Sequence, residues 1–351
     1  MSRERAGPLL ALGAAVLFGL SAPAAKLLIA VTDPWLLAGL LYLSSGIGLG
    51  LYRLTSVGGT RTANEPALTP SDMPWLAGAI LAGGVVGPLL LMFGLAAGSA
   101  AQSALLLNLE GVFTALVAWV VFREHVSARI AVGMAAIAAG AMALSWQSSS
   151  PGSPGWSAAL VAGACLAWAI DNNLTRKISA GDPVQIAALK GAVAGGVNTL
   201  IALGRGASWP TSGAILGASL VGLLGYGVSL ALFIRALRAL GTARTGAYFS
   251  TAPFVGAVAG VVILGESVTG TLAVAGGLMA VGVWLHLTER HVHEHGHELL
   301  EHDHLHWHDE HHQHDHAAGQ AGREPHRHWH VHAPLRHRHP HYPDLHHRHE
   351  H

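Results

Sequence analysis

Apolar residues fill most of the first 290 positions in long blocks, separated by short polar breaks. A helix needs about 20 mostly apolar residues to cross a bilayer. Ten blocks approach or meet that length: 8–30, 35–53, 75–96, 101–122, 129–146, 156–175, 184–204, 213–234, 245–264 and 271–288. Turn residues mark the breaks, as at Thr32-Asp33-Pro34, Ser148–Gly155 and Trp209-Pro210. The exception is the longer polar stretch 54–74, with Arg61, Asn64, Glu65 and Asp72. No barrel-like alternation is present, and a helix satisfies its own backbone in lipid. The pattern therefore predicts an all-α membrane protein with ten transmembrane helices. The first apolar run continues to about Ala30 and reads as a retained helix, not a cleaved signal.

The pattern also repeats. Leu105–Glu124 contains Asn108 and Glu110 within an apolar run and ends in Arg123-Glu124. Ser250–Glu266 follows the same plan 142 residues later, with Glu124 aligned on Glu266. Phe18-Gly19-Leu20-Ser21 in the first helix corresponds to Trp168-Ala169-Ile170-Asp171 in the sixth, which places Lys26 on Arg176. Five spans per repeat is an odd number, so the second repeat enters the membrane from the opposite side. That is the 5+5 inverted-topology plan of secondary transporters. It divides the chain into a first repeat at 1–146, a linker at 147–155, a second repeat at 156–290 and a tail at 291–351.

Charge orients this plan. With the N-terminus inside, Arg3, Arg5, Arg53, Arg61, Arg123, Arg129, Arg176, Lys177, Arg235, Arg238, Arg244 and Arg290 lie inside, and only Arg205 lies outside. The bias predicts a multi-pass protein of the cytoplasmic (inner) membrane with both termini in the cytoplasm. Composition agrees: 51% of residues are hydrophobic and 11% charged, against about 25% charged in soluble domains.

The 5+5 plan, the small-residue first helix of each half and the Glu110-Gly111-Val112-Phe113-Thr114-Ala115-Leu116 run closing on Arg123-Glu124 resemble the drug/metabolite transporter superfamily, EamA type. The resemblance covers about residues 8–288. It implies ten helices, cytoplasmic termini and solute movement by alternating access. Phe18-Gly19-Leu20-Ser21 departs from the Trp-Gly-Ser common in that family, whereas Trp168 keeps the tryptophan. The family is broad in substrate, so the resemblance implies a fold and a mode of action more than a solute.

Within the spans, Glu110 and Asp171 are the acids well inside, and Lys26 and Lys190 the internal bases. Ionisable groups in lipid face a bundle interior or a wet cavity and find partners. Glu110 and Asn108 are expected to line a central cavity, with Lys26 or Lys190 as basic partner; a packing ion pair is the competing reading. Asp171, Asn172 and Asn173 precede Thr175-Arg176-Lys177 at a span end, as a gate or substrate contact, or as an interfacial cap. Asn198, Gln102, Gln185, Tyr226 and Tyr248 are weaker candidates, readily explained by helix–helix hydrogen bonds. Cys165, the single cysteine, sits in an apolar run and reads as a small buried hydrophobe. No phosphate-binding G-x-x-x-x-G-K-[ST] and no nucleophile elbow occurs, so neither ATP-driven pumping nor an enzyme is expected.

The tail differs from everything before it. It carries 23 of the 25 His, and its net formal charge of −5 offsets +5 in residues 1–290. Too few apolar residues are present for a core, so disorder is expected. Residues 291–316 hold twelve His, seven acids and no Lys or Arg. Neutral imidazoles at this density are ligands for Zn, Ni or Co. The candidate ligands are His293, His295, His297, His302, His304, His306, His308, His311, His312, His314 and His316. No cofactor is required. The partners expected are the lipid bilayer and a small-molecule or metal-ion substrate, with no nucleic acid; a homodimer is left open. The sequence thus reads as a secondary transporter, more in the direction of efflux, of divalent metal or a small metabolite. The alternative is a membrane-anchored metal sensor or store without transport.

Overall fold

A computed structural model describes residues 3–56, 68–122, 127–147, 155–178, 182–240, 242–288, 291–297, 300–306, 326–332 and 335–341. The chain divides into two compact parts, Met1–Glu289 and Arg290–His351.

Among the described residues, the first part is ten helical segments. They are α1 (Arg3–Ile29), α2 (Pro34–Ser56), α3 (73–97), α4 (100–122), α5 (Ala128–Gln147), α6 (Trp156–Lys177), α7 (Pro183–Gly204), α8 (212–240), α9 (242–264) and α10 (Gly270–Leu287). Eight are long and apolar enough to cross a membrane. The other two are α6 and α9. Segment α6 has the length, at 22 residues, but its last two turns carry Asp171, Arg176 and Lys177. Segment α9 is divided at Ser250-Thr251, so its apolar part is only Ala252–Leu264. The predicted spans and the observed helices agree to within a few residues at most ends.

Two departures from regular helix recur at one spacing. Segments α3 and α8 each contain a seven-residue π-helical stretch, Ile80–Val86 and Gly222–Val228. Segments α4 and α9 each break, at Leu107-Asn108 and at Ser250-Thr251. Residue 222 follows 80 by the same 142 positions that separate Glu124 and Glu266. The two helix breaks fall within one residue of that spacing. A duplicated chain has kept its irregularities as well as its spans.

Packing follows the duplication. Segment α2 packs chiefly on α7, and α5 on α10, each helix against its repeat counterpart. The first helix of each repeat packs on the third and fourth helices of the other: α1 on α8 and α9, α6 on α3 and α4. The α2–α7 seam is made of small residues. A Cβ at Gly191 would lie 2.8 Å from the Gly46 Cα, so side chains at this crossing would force the helices apart. Leu36, Leu37, Leu41, Leu91, Met92, Leu95, Leu106, Ile137 and Met279 form the most deeply buried core. Many large apolar residues, such as Val120, Val262 and Leu200, face outward, as lipid-facing positions must. Cys165 is buried and free, as expected.

Helix ends are capped by ordinary chemistry. Asp182 accepts from the Val184 and Gln185 amides at the start of α7 and pairs with Arg53 at 2.8 Å. Burial opposes its charge, but Arg53 and the two amides outweigh that and hold its carboxyl below the usual range.

In the second part the backbone forms two antiparallel ribbons. Strand β1 (His291–His297) pairs with β4 (Leu335–His341), and β2 (Leu300–His306) with β3 (His326–His332). A two-stranded ribbon is at best marginally stable in water, so these ribbons do not contradict a composition that lacks a core.

Candidate functional site

The polar groups of the membrane part gather where the repeats interlock. Asp171 is buried on α6, and Lys190 on α7 donates to both its oxygens, at 2.6 Å to Oδ2. Thr175 Oγ1, one turn along α6, donates to Asp171 Oδ1 at 2.8 Å. Beside this pair, Glu110 on α4 accepts from Asn172 Nδ2 at 2.9 Å. Glu110 lies within electrostatic reach of both Asp171 and Lys190. Asn173 also reaches α4 and donates to the carbonyls of Ala169 and Thr114. Asp171 therefore serves α7, while Asn172 and Asn173 both serve α4.

The π-helical stretch of α3 forms the wall of this cluster. Wider winding and Pro88, which has no N–H, leave carbonyls without in-helix partners. Gly83 O accepts from Trp168 Nε1 at 2.9 Å and Tyr42 Oη at 3.2 Å. Gly84 O accepts from Asn198 Nδ2 at 3.2 Å, and Trp35 Nε1 donates to Asn198 Oδ1. A Cβ at Gly83 would overlap the Asp171 carboxyl group, so only glycine admits the ion pair here. From Tyr42 on this wall runs an aromatic row. Tyr42 meets Tyr226 (5.4 Å between ring centroids), Tyr226 meets Phe18 (5.8 Å), Phe18 meets Phe249 (5.4 Å) and Phe249 meets Phe233 (4.8 Å).

The sequence-derived candidates divide between this cluster and elsewhere. Glu110, Asp171, Asn172 and Lys190 come together. Lys190, however, pairs with Asp171 and not with Glu110, whose hydrogen-bond partner is the neutral Asn172. Asn108 does not join them. Two residues from Glu110 is about 200° around a helix, and Asn108 sits at the break in α4, donating to Leu105 O against Met279. Lys26 is at the other end of α1, where it donates to the carbonyls of Leu95, Ala96 and Gly98 at the end of α3. A cation there satisfies carbonyls that a helix C-terminus leaves open. Glu266 meets the complementary need next to it. It accepts from Ser99 Oγ (2.7 Å), Ala100 N (2.6 Å) and Ala101 N (2.7 Å) at the start of α4. Its counterpart Glu124 lies outside the described residues.

Of the weaker candidates, Gln102 donates to Leu144 O, and Gln185 caps nothing but has a buried Oε1 with no partner among the described residues. Of the aromatic row, Tyr226 is a weaker candidate from the sequence, whereas Tyr42, Phe233 and Phe249 are not singled out there. An aromatic or a glycine in an apolar run carries no signal until a neighbouring helix is placed against it. A groove of about 440 Å³ between Leu20 of α1 and Thr251, Phe254, Val255, Val258, Val262 and Ile263 of α9 is almost wholly apolar and contains none of the cluster.

In the tail, His293, His295 and His297 lie on β1, and His302, His304 and His306 on β2. His308, His311, His312, His314 and His316 lie outside the described residues.

The family model described as "EamA-like transporter family" matches twice, over residues 5–146 and 155–288. The chain belongs to the EamA-like transporter family. Two matched copies in one chain are what the repeated spans, π-helical stretches and helix breaks record. Family membership makes it a multi-pass membrane transporter and not an enzyme. A relative named "Uncharacterized transporter" from Methanothermobacter thermautotrophicus (strain Delta H) is 27% identical over 285 residues, covering 78% of this chain and 83% of the relative. A solved crystal structure aligns with a TM-score of 0.58 at 19% identity, over 81% of this chain and 96% of the other. At that identity the likeness extends to the fold alone.

Proposed function

We propose that this chain exports a small polar solute across the cytoplasmic membrane by alternating access, with both termini in the cytoplasm. The observation that supports it is the cluster of Glu110, Asn172, Asp171 and Lys190, built from both repeats at their interlock. Inverted repeats place their substrate sites at such an interface. Two carboxyl groups, one ammonium, an amide and flanking tyrosines suit a solute that carries both charges, such as a zwitterionic metabolite. Export, cytoplasmic termini and location rest on the Lys/Arg bias and on the tail. The His-rich tail binds divalent metal of the Zn, Ni or Co class on the cytoplasmic side. Metal as the cargo is the second reading, and it rests on the tail alone: among the described residues, no three His, Cys, Asp or Glu converge. A membrane-anchored metal sensor that moves no solute is the third.

Transport by the purified protein in proteoliposomes separates these readings. The panel is labelled zwitterionic amino acids, Zn²⁺, Ni²⁺ and Co²⁺. The expected result is saturable movement of an organic solute, lost in Glu110→Gln while expression and unfolding temperature stay unchanged. Normal transport by Glu110→Gln removes that residue from the site. Metal movement that disappears in a chain ending at Arg290 transfers the reading to metal cargo. No movement of any solute leaves the sensor.

A further inference from the structure

The charges of the membrane cluster do not balance. Asp171 and Glu110 set two carboxylates against the one ammonium of Lys190, and among the described residues no other charged side chain is within electrostatic reach of Glu110. Lys190 is fully used. An ammonium has three protons, and Asp171 Oδ1, Asp171 Oδ2 and Thr175 Oγ1 accept them. Glu110 is not. Asn172 Nδ2 bonds its Oε1, and its Oε2 has no hydrogen-bond partner among the described residues. Asn172 points both its N–H groups at α4, to Glu110 Oε1 (2.9 Å) and Thr114 Oγ1 (3.5 Å). Its oxygen is therefore the atom left over. The second repeat brings no compensating charge, since Ala252 stands 142 positions after Glu110.

The unused part of the cluster is also its open part. Asp171 and Lys190 are largely covered, whereas Glu110 is half-buried and Asn172 exposed. Ala159, Leu166 and Ile170 mark the outward stripe of α6. Asn172 lies about 140° around the helix from that stripe, at 100° per residue. Its exposure is thus toward open space inside the bundle and not toward lipid.

From this imbalance we infer that the solute is an organic cation, whose ammonium or guanidinium group is received by Glu110 and Asn172. The inference rests on the cluster's being the transport site, and it narrows the solute from one that carries both charges to one in which positive charge is in excess. The open atoms, Glu110 Oε2 and Asn172 Oδ1, are acceptors, and ammonium and guanidinium groups are donors only. A carboxylate on the solute finds no unused donor on either residue. A carboxylate within a span also needs a partner, and a cationic solute supplies it. Tyr42 begins the aromatic row within electrostatic reach of Glu110 and Asp171, and aromatic faces attract cations.

The test is transport in proteoliposomes of three labelled probes that share a carbon chain and differ in charge. Norleucine is a zwitterion, lysine adds an ε-ammonium, and cadaverine keeps both ammonium groups of lysine without its carboxylate. The expected kcat/KM for lysine and for cadaverine exceeds that for norleucine by about tenfold or more, the order that a hydrogen bond to a charged group contributes. Binding is read separately in detergent micelles, because a ligand of the folded state raises the unfolding temperature. Lysine and cadaverine should raise it in the parent and in Glu110→Asp, which keeps the carboxylate, and not in Glu110→Gln. If norleucine moves as well as lysine, and its movement is lost in Glu110→Gln, the inference is overturned while the transport site stands. Cation stabilisation that persists unchanged in Glu110→Gln also overturns it, since the charge is then read elsewhere. If no probe moves or binds, the transport site itself falls, and this inference with it.

Discussion

Asp171 and Lys190 show how residue chemistry and helix packing depend on each other. Their side chains are 8% and 17% exposed, and in that setting each charge is tolerated because the other is present. Breaking a buried pair leaves an uncompensated charge and costs about 3–5 kcal/mol, whereas neutralising both partners costs far less. Lys190→Gln and Asp171→Asn should therefore each lower the unfolding temperature in detergent markedly, and the double variant should recover most of the loss. A double variant as unstable as the sum of the singles would mean that the two residues act independently. Glu110 differs. Its partner is an amide, so Glu110→Gln keeps a hydrogen-bonding group at the same place, which is why it suits a transport assay. That acids and a lysine lay inside the spans was legible in the sequence. Which lysine met which acid was not, because residues 171 and 190 are on different helices and nothing local selects their partners.

Among elements, the π-helical stretches carry the most meaning. The one in α3 turns two glycine carbonyls toward Trp168, Tyr42 and Asn198, and its Gly83 makes room for Asp171. Gly83→Ala is expected to cost about 1–3 kcal/mol through overpacking and to disturb the ion pair. Gly111→Ala, with nothing within 4 Å of the added methyl, should be neutral or stabilise through helix propensity. Thermal unfolding of both variants checks this, and equal effects would remove the packing argument. The segments Ile80–Val86 and Gly222–Val228 look like ordinary apolar, glycine-rich span in sequence. A π turn differs from an α turn by one hydrogen-bond register, a choice that neighbouring donors make. Helix lengths and ends, by contrast, follow from local hydropathy and turn residues, and these were legible to within a few positions.

At the scale of the molecule, inverted repeats make orientation a single question, since alternating helices fix every loop relative to every other. Ser208 follows α7, and Ala128 begins α5, at opposite ends of the bundle; both are exposed. With Cys165 buried, new cysteines at these sites are the accessible thiols. In intact cells, a membrane-impermeant maleimide should modify Ser208→Cys at once and Ala128→Cys only after lysis. The reverse pattern would invert the topology and place the tail outside.

The sequence by itself determined the ten spans, their duplication, the inverted plan and the separate character of the tail. Each of these is written in local hydropathy, in charge near span ends or in a spacing along the chain, and a reader of residues in order can see them. The tertiary structure alone decided that Lys190 serves Asp171, that Asn172 serves Glu110, that Lys26 and Asn108 are spent elsewhere, and that the two histidine blocks meet in register. Those facts depend on which surfaces close packing and strand pairing bring together across long stretches of chain, and no local pattern carries that information.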